Sequence, residues 1–230
     1  MAVSIDTVYQ RVLAILNKEQ RGYLTPEEYN LFANQAQMDI FEQYFYDINQ
    51  FSRMPGNDTE YSDMLNVLNE KISLFETNQG LTYSGSSFII PTDLYRVGTI
   101  IYNNAEAERV NKNEYLYITS SPITAPGNDF PIYTKDTNGF KVFGTSEITT
   151  TNDVTLNYIK KPSKAVWNYV TVLGNAQYNA TGSVDFELHP SEETELVIKI
   201  LALAGLMVQD IGIYQVATAE EAKDVQQQKA

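Results

Sequence analysis

The run His189-Pro190-Ser191-Glu192-Glu193-Thr194-Glu195-Leu196-Val197-Ile198-Lys199-Ile200-Leu201-Ala202-Leu203-Ala204-Gly205-Leu206-Met207-Val208 decides how the rest of the chain is read. Its glutamates suit the positive end of a helix, and a proline fits a first turn, so a helix begins there. His189, directly before Pro190, suits a capping or packing role at that start. The apolar side chains that follow surround the axis instead of marking one face, which predicts burial on most sides. The apolar stretch from Leu196 to Val208 is interrupted by Lys199 and is shorter than the roughly 20 residues that cross a bilayer, so it predicts a buried helix and no membrane span.

A buried helix needs partners, and the first 84 residues supply them. Ile5, Val8, Tyr9, Val12, Ile15 and Leu16 have helical spacing, which predicts a helix over 4–20. Thr25-Pro26-Glu27-Glu28 has the form of a capping box, opening a helix that carries Tyr29, Phe32, Ala33, Ala36, Ile40, Phe41, Tyr44, Phe45 and Ile48 and ends before Pro55-Gly56. A third helix, capped by Asp58 or Thr59, presents Tyr61, Met64, Leu65, Leu68, Ile72 and Phe75 and ends near Gly80.

Between these helical parts the period changes to short runs rich in Ile, Val, Thr, Tyr and Phe, which predicts antiparallel strands over 87–90, 95–103, 115–119, 131–135, 140–143 and 154–160. The fourth and fifth of these pair across Asn138-Gly139, where both residues tolerate positive φ. Residues 167–181 are polar and turn-rich and read as a loop or a protruding hairpin, and 184–188 as a last strand. The plan is α+β: an antiparallel helical bundle made by residues 1–84 and 189–230, around an inserted antiparallel sheet or barrel-like region over 85–188.

Composition narrows the chemistry. The chain has 29 acidic and 16 basic side chains and a net charge of −13, so its field repels phosphate, and a conventional DNA-binding face is excluded. The charge is uneven: residues 1–80 carry 12 acidic against 5 basic side chains, while 81–190 carry 10 against 8. Without cysteine there is no disulfide, thiolate nucleophile or cysteine zinc site. His189 is the one imidazole, and no Walker loop, dinucleotide fingerprint or metal spacing is present, so no catalytic residue, cofactor or metal is expected. The N-terminus shows no secretory leader, which predicts synthesis in a cytoplasm. Positive charge gathers at Lys160, Lys161 and Lys164, as a solvated strand end or as a contact with an acidic partner.

Helices, a β region and a returning helix, in that order, resemble the head-to-tail adaptor of short-tailed bacteriophages, the tail tubular protein A class of gatekeeper-like connectors. Pro91-Thr92-Asp93-Leu94-Tyr95-Arg96 is similar to that family's Pro-x-Asp-hydrophobic-x-Arg start of its sheet, and Tyr158-Ile159-Lys160-Lys161-Pro162, followed by Trp167, to its Tyr-x-(Arg/Lys)-x-Pro strand end. Phe186-Glu187-Leu188-His189-Pro190-Ser191-Glu192-Glu193 resembles stretches of phage virion proteins.

The resemblance implies a virion structural protein without enzymatic activity. It would form an oligomeric ring, usually of twelve copies, that docks under the portal protein in the neck and joins capsid to tail nozzle. The genomic double-stranded DNA passes through its channel on ejection without specific binding. Assembly would take place in the bacterial host cytoplasm, away from any membrane. The C-terminal tail would reach the portal, which makes Ile213, Tyr214, Val216, Val225, Gln226, Gln227, Gln228 and Lys229 the candidate portal-docking residues. Lys160, Lys161, Lys164, Trp167 and Tyr169 are the candidate contacts to the tail or to a neighbour. Three alternatives stand beside this reading: another neck or tail ring protein, a virion surface module that binds a carbohydrate or receptor through the tyrosine-rich β region, and a virion hydrolase that uses His189.

Overall fold

Where the capping box was expected, the Thr25 N–H and hydroxyl both donate to Glu28 Oε2, at 2.9 and 2.7 Å, and the Glu28 N–H donates to Thr25 Oγ1 at 3.3 Å. The cap satisfies amides that the first turn leaves free, and the same bonds hold the Glu28 carboxyl below its usual range. The computed structural model describes residues 3–18, 24–53 and 59–207, together with Ala219 and Lys223. Its helices are α1 (Ile5–Lys18), α2 (Pro26–Arg53), α3 (Thr59–Ser73), α4 (Lys112–Ser120) and α5 (Glu193–Met207), the last led by a 3-10 turn over Pro190–Glu192. The chain divides into two compact units, one of Met1–Leu74 with Pro162–Ala230 and the other of Phe75–Lys161.

In the first unit α5 packs on α1 and α2, and α3 packs on α2. Ile5, Val8 and Val12 of α1, Tyr29, Ala33, Ile40 and Phe41 of α2, and Leu196, Ile200 and Ala204 of α5 are buried. A second device ties this unit together. Asn30, Asn34 and Gln37 lie along one side of α2, and each amide binds the backbone of the extended segment 163–167 at every second residue. Asn34 donates to the Ala165 carbonyl at 2.8 Å and accepts from its N–H at 3.0 Å. Asn30 makes the same pair with Trp167 at 3.2 and 2.8 Å, and Gln37 donates to the Ser163 carbonyl at 2.7 Å. One helical turn and two extended residues both advance about 5–7 Å, so the two repeats run in step.

The strands are β1 (Glu76–Gly80), β2 (Tyr83–Ser84), β3 (Ser87–Ile89), β4 (Leu94–Tyr102), β5 (Ala105–Glu106), β6 (Glu108–Arg109), β7 (Ile132–Lys135), β8 (Gly139–Phe143), β9 (Val154–Lys160), β10 (Tyr169–Val172) and β11 (Asn175–Tyr178). The second unit holds a sheet of order β1-β9-β4-β5 and a sheet of order β2-β3-β8-β7-β6, antiparallel throughout except for β6 against β7. Ile100, Val154, Leu156 and Tyr158 from one sheet and Phe88, Tyr133, Phe140 and Val142 from the other share one core. Neither sheet closes on itself, so the architecture is α+β with open antiparallel sheets and no closed barrel. β10 and β11 form a separate two-stranded sheet in the first unit.

Several expectations need correction. Residues 115–119 are helical, not a strand: Asn111 and Glu114 form a capping box, and Tyr115 anchors α4 through its ring, 4.5 Å from that of Phe143. β-branched and aromatic residues read as a strand there because strand preference mostly reports packing context. Gly80 ends β1 and not α3. The polar Glu76–Gly80 carries no strand pattern, and it is extended because all five residues pair with β9. The β7–β8 hairpin exists, but neither Asn138 nor Gly139 has a positive φ. Gly139 is required by proximity, since a Cβ there would lie 2.1 Å from the Phe88 carbonyl oxygen. In this unit a tight turn with positive φ at both residues is Asn103-Asn104, between β4 and β5. Residues 184–188 form no strand; Val184 and Phe186 make isolated bridges to Val166 and Val3. The compact units divide at 74/75 and 161/162, where the sequence reading placed limits at 84/85 and 188/189. The reason is that 76–80 pairs into a sheet and 163–167 is held by the α2 amides.

Candidate functional site

Residues 189–192 are the place where hydrolytic chemistry was conceivable. His189 Nδ1 accepts from the Ser191 N–H at 3.2 Å and lies 2.8 Å from Ser191 Oγ, and the Ser191 hydroxyl donates to Glu192 Oε1 at 3.0 Å. A triad needs the carboxylate on the far side of the imidazole. Here the carboxylate takes the serine hydroxyl, so the three residues form the cap of the 3-10 turn. Among the described residues no group of three or more His, Cys, Asp or Glu side chains is placed to hold a metal ion, and no helix is long and apolar enough to cross a membrane.

Glu192 was read as a first-turn acid at the positive end of the helix, and the structure gives it a second partner: it is almost fully buried and pairs with Lys71 of α3 at 2.5 Å. Burial pushes its carboxyl up, but the ammonium of Lys71 and the bonds from Glu195 and Ser191 outweigh burial and hold it below the usual range. Glu195, one turn on, is pushed up to about 7, first by burial and then by Glu192 beside it. Of the two carboxyls, Glu195 is therefore the one that holds its proton more tightly. Lys71 also lies 5.6 Å from the centre of the Tyr44 ring, whose buried hydroxyl has no partner among the described residues. The cavity they enclose is about 20 Å³, room for about one water and not for a substrate. This cluster is structural, and it was invisible in the sequence because Lys71 and Glu192 meet only through the packing of α2, α3 and α5.

The candidate contact residues separate. Trp167 is buried, not displayed on a polar loop: its indole N–H donates to Asp6 Oδ1 at 2.9 Å, and its ring lies 4.1 Å from that of Tyr9. It is a core residue and also the root of the β10–β11 hairpin, since the rings of Tyr169 and Tyr178 each lie 5.9 Å from it. Tyr169 is half-buried. Lys160 and Lys161 belong to the second unit and Lys164 to the first; Lys161 and Lys164 are exposed. The eight candidate portal-docking residues, Ile213, Tyr214, Val216 and Val225 to Lys229, lie outside the described residues.

Three surfaces were missed or left open by sequence reasoning. Above its root, the hairpin exposes Val170, Val172 and a 98% exposed Leu173. In the second unit, α4 buries none of its residues, and Tyr117 (78% exposed), Ile123 (94%) and Phe130 (82%) stand in water. Such side chains off the core mark interaction surfaces more often than a single exposed leucine does. The third is an open groove of about 400 Å³ on the β1-β9-β4 sheet, lined by Asn78, Gly98, Thr99, Asn157 and Ile159 among others. It exists because β4 shifts register between Val97 and Ile100 and because Gly98 leaves room at the Asn157 carbonyl, 2.8 Å from where a Cβ would sit. Asn157 Oδ1 is buried there with no partner among the described residues. The signal that could have found α4 was the Asn111-x-x-Glu114 box; nothing in the sequence marks the groove.

The two short motifs quoted above, far apart in sequence, meet in space. Tyr158 Oη lies 3.0 Å from Asp93 Oδ1, the Lys161 N–H donates to the Asp93 carbonyl at 2.7 Å, and Leu94 pairs with Lys160 where β4 begins and β9 ends. Burial, reinforced by Asp93, pushes the Tyr158 hydroxyl up to about 12. No protein-family model matches the sequence, and no curated protein matches it.

Proposed function

We propose that this chain is a virion structural protein, a head-to-tail adaptor subunit that assembles as a ring under the portal, joins capsid to tail and leaves a channel for DNA. The observation that carries the reading is the corner at Asp93 and Tyr158: the motifs on which the resemblance rests are one hydrogen-bonded structure, joining the start of β4 to the end of β9. The chain's plan supports it too, because the helices of the first unit come from both ends of the sequence and the β unit from its middle. In this reading α1, α2, α3 and α5 act as the antiparallel bundle and the net charge of −13 keeps passing DNA from sticking. No catalytic step belongs to it. Partners are the portal, the tail nozzle or another neck ring, and further copies of the chain.

The test is cryo-electron microscopy of the chain mixed with the portal of the phage that encodes it. A coaxial ring with residues from Ile213 onward in the contact is the expected result, and truncation after Ile213 should abolish docking while the fold survives. A chain that never binds the portal, or docks equally well without its tail, defeats the reading.

A further inference from the structure

Among the described residues the β10–β11 hairpin is a sheet of only two strands, and nothing there pairs with either of its edges. Natural sheets protect such edges with charge, proline, bulges or covering segments. Here the first three are missing: residues 165–184 hold no Asp, Glu, Lys, Arg or Pro, in a chain that is 20% charged, and the four cross-strand pairs run without a register shift. An isolated two-stranded hairpin is marginal in water. This one is anchored by Trp167 under Tyr169 and Tyr178, and by the Asn179 N–H donating to the Asn168 carbonyl at 2.9 Å.

The register says which groups the edges offer. Leu173 and Gly174 form the two-residue turn, with φ of 51° and 83°. In an antiparallel pair, bonded and non-bonded pairs alternate. With 168/179 bonded, 170/177 and 172/175 are bonded too, and the backbones of Tyr169 and Thr171 on β10 and of Ala176 and Tyr178 on β11 point outward.

We propose that these hairpins pair between copies of this chain, the open edge of β10 in one copy against the open edge of β11 in the next. Charge selects a second copy as the occupant. Two chains of net charge −13 repel one another, and this uncharged ribbon is a place where their backbones can come within about 4.8 Å without setting acid against acid. Because β10 and β11 run in opposite directions, stacking copies side by side makes every new pair antiparallel. Each copy then uses one edge of each kind, a heterologous contact of the type that closes rings. The inference rests on the ring reading above and names the surface through which copies join.

Thr171→Pro and Ala176→Pro each delete one outward N–H and leave the hairpin's own ladder intact. Sedimentation of the full chain over a concentration series should show self-association, weakened at least about fivefold by either proline, the equivalent of one lost hydrogen bond. Mixing the two variants should restore dimers and nothing larger, since each keeps one good edge. As a second measurement free of proline, full chains carrying Thr171→Cys are mixed with chains carrying Ala176→Cys. The natural chain has no cysteine, so oxidation should give covalent dimers in the mixture well above the level of either variant alone. Free chains that do not associate, proline variants that associate like the natural chain, or a mixture that cross-links no better than its components each overturn the pairing. Portal docking is scored separately: rings that still form on the portal with both prolines present sink the hairpin contact and leave the adaptor reading standing, whereas hairpins that pair without any portal binding do the reverse.

Discussion

Asn34→Ala tests the amide ladder of α2 directly. The substitution removes two hydrogen bonds to Ala165, at 2.8 and 3.0 Å, and Ala165 is fully buried. Two such bonds contribute about 2 kcal/mol net, and leaving a buried N–H and carbonyl without partners raises the loss toward 4 or more. Alanine's better helix propensity returns roughly 0.5 kcal/mol. The net expectation is a loss of about 2–4 kcal/mol, a fall in Tm of roughly 5–15 °C for a protein of this size. The chain has one tryptophan, Trp167, at the end of the segment the ladder holds, so its fluorescence during urea unfolding reads the effect where it arises. Gln35→Ala on the exposed side of the same helix loses only a surface bond to Asp39 and should change stability by less than about 0.5 kcal/mol. If Asn34→Ala costs no more than Gln35→Ala, the ladder does not hold the 163–167 segment and the reasoning fails.

Lys71→Met should destabilise by about 3–5 kcal/mol because it strands the buried Glu192 carboxylate, and adding Glu192→Gln should recover most of that loss; urea titration followed at Trp167 decides it, and a cost for the single variant below about 1 kcal/mol refutes the pairing. Glu195 binds its proton more tightly folded than unfolded, so its contribution favours the native state at low pH and is lost as pH rises from the ordinary glutamate range to about 7. Glu195→Gln should therefore be more stable than the natural chain at pH 8, with the advantage shrinking below pH 5; unfolding curves across that range check the slope, and an advantage that grows toward acid contradicts it. Gly139→Ala forces a Cβ against the Phe88 carbonyl and should cost roughly 3 kcal/mol, read as faster hydrogen exchange in β3 and β8; unchanged exchange rates there would show that the strands yield without strain.

The helices that carry their own signals were legible in the chain. The Thr25 cap needs only four consecutive residues, and the apolar runs of α1, α2 and α5 repeat at a period set by local geometry, so α1 and α2 begin within a residue of where they were expected and α5 near it. The same holds for β3, β4, β7, β8 and β9, short runs rich in β-branched and aromatic residues that are bounded by turn residues. His189 as a cap was readable for the same reason: its partner, Ser191, is two residues away.

What only the tertiary structure decided depends on partners distant in sequence. Glu76–Gly80 is a strand because β9 is beside it, α4 is a helix because its cap and Tyr115 outweigh strand-like residues, and Trp167 is core because three amides of α2 hold the chain that carries it. Glu192 looked like a dipole residue until Lys71 was brought to it. The open edges of β10–β11 and the groove beside Gly98 are likewise products of pairing and register, which no local pattern encodes. Local propensity acts through neighbours in sequence, whereas burial, charge pairing and strand edges are set by which distant segments the core brings together.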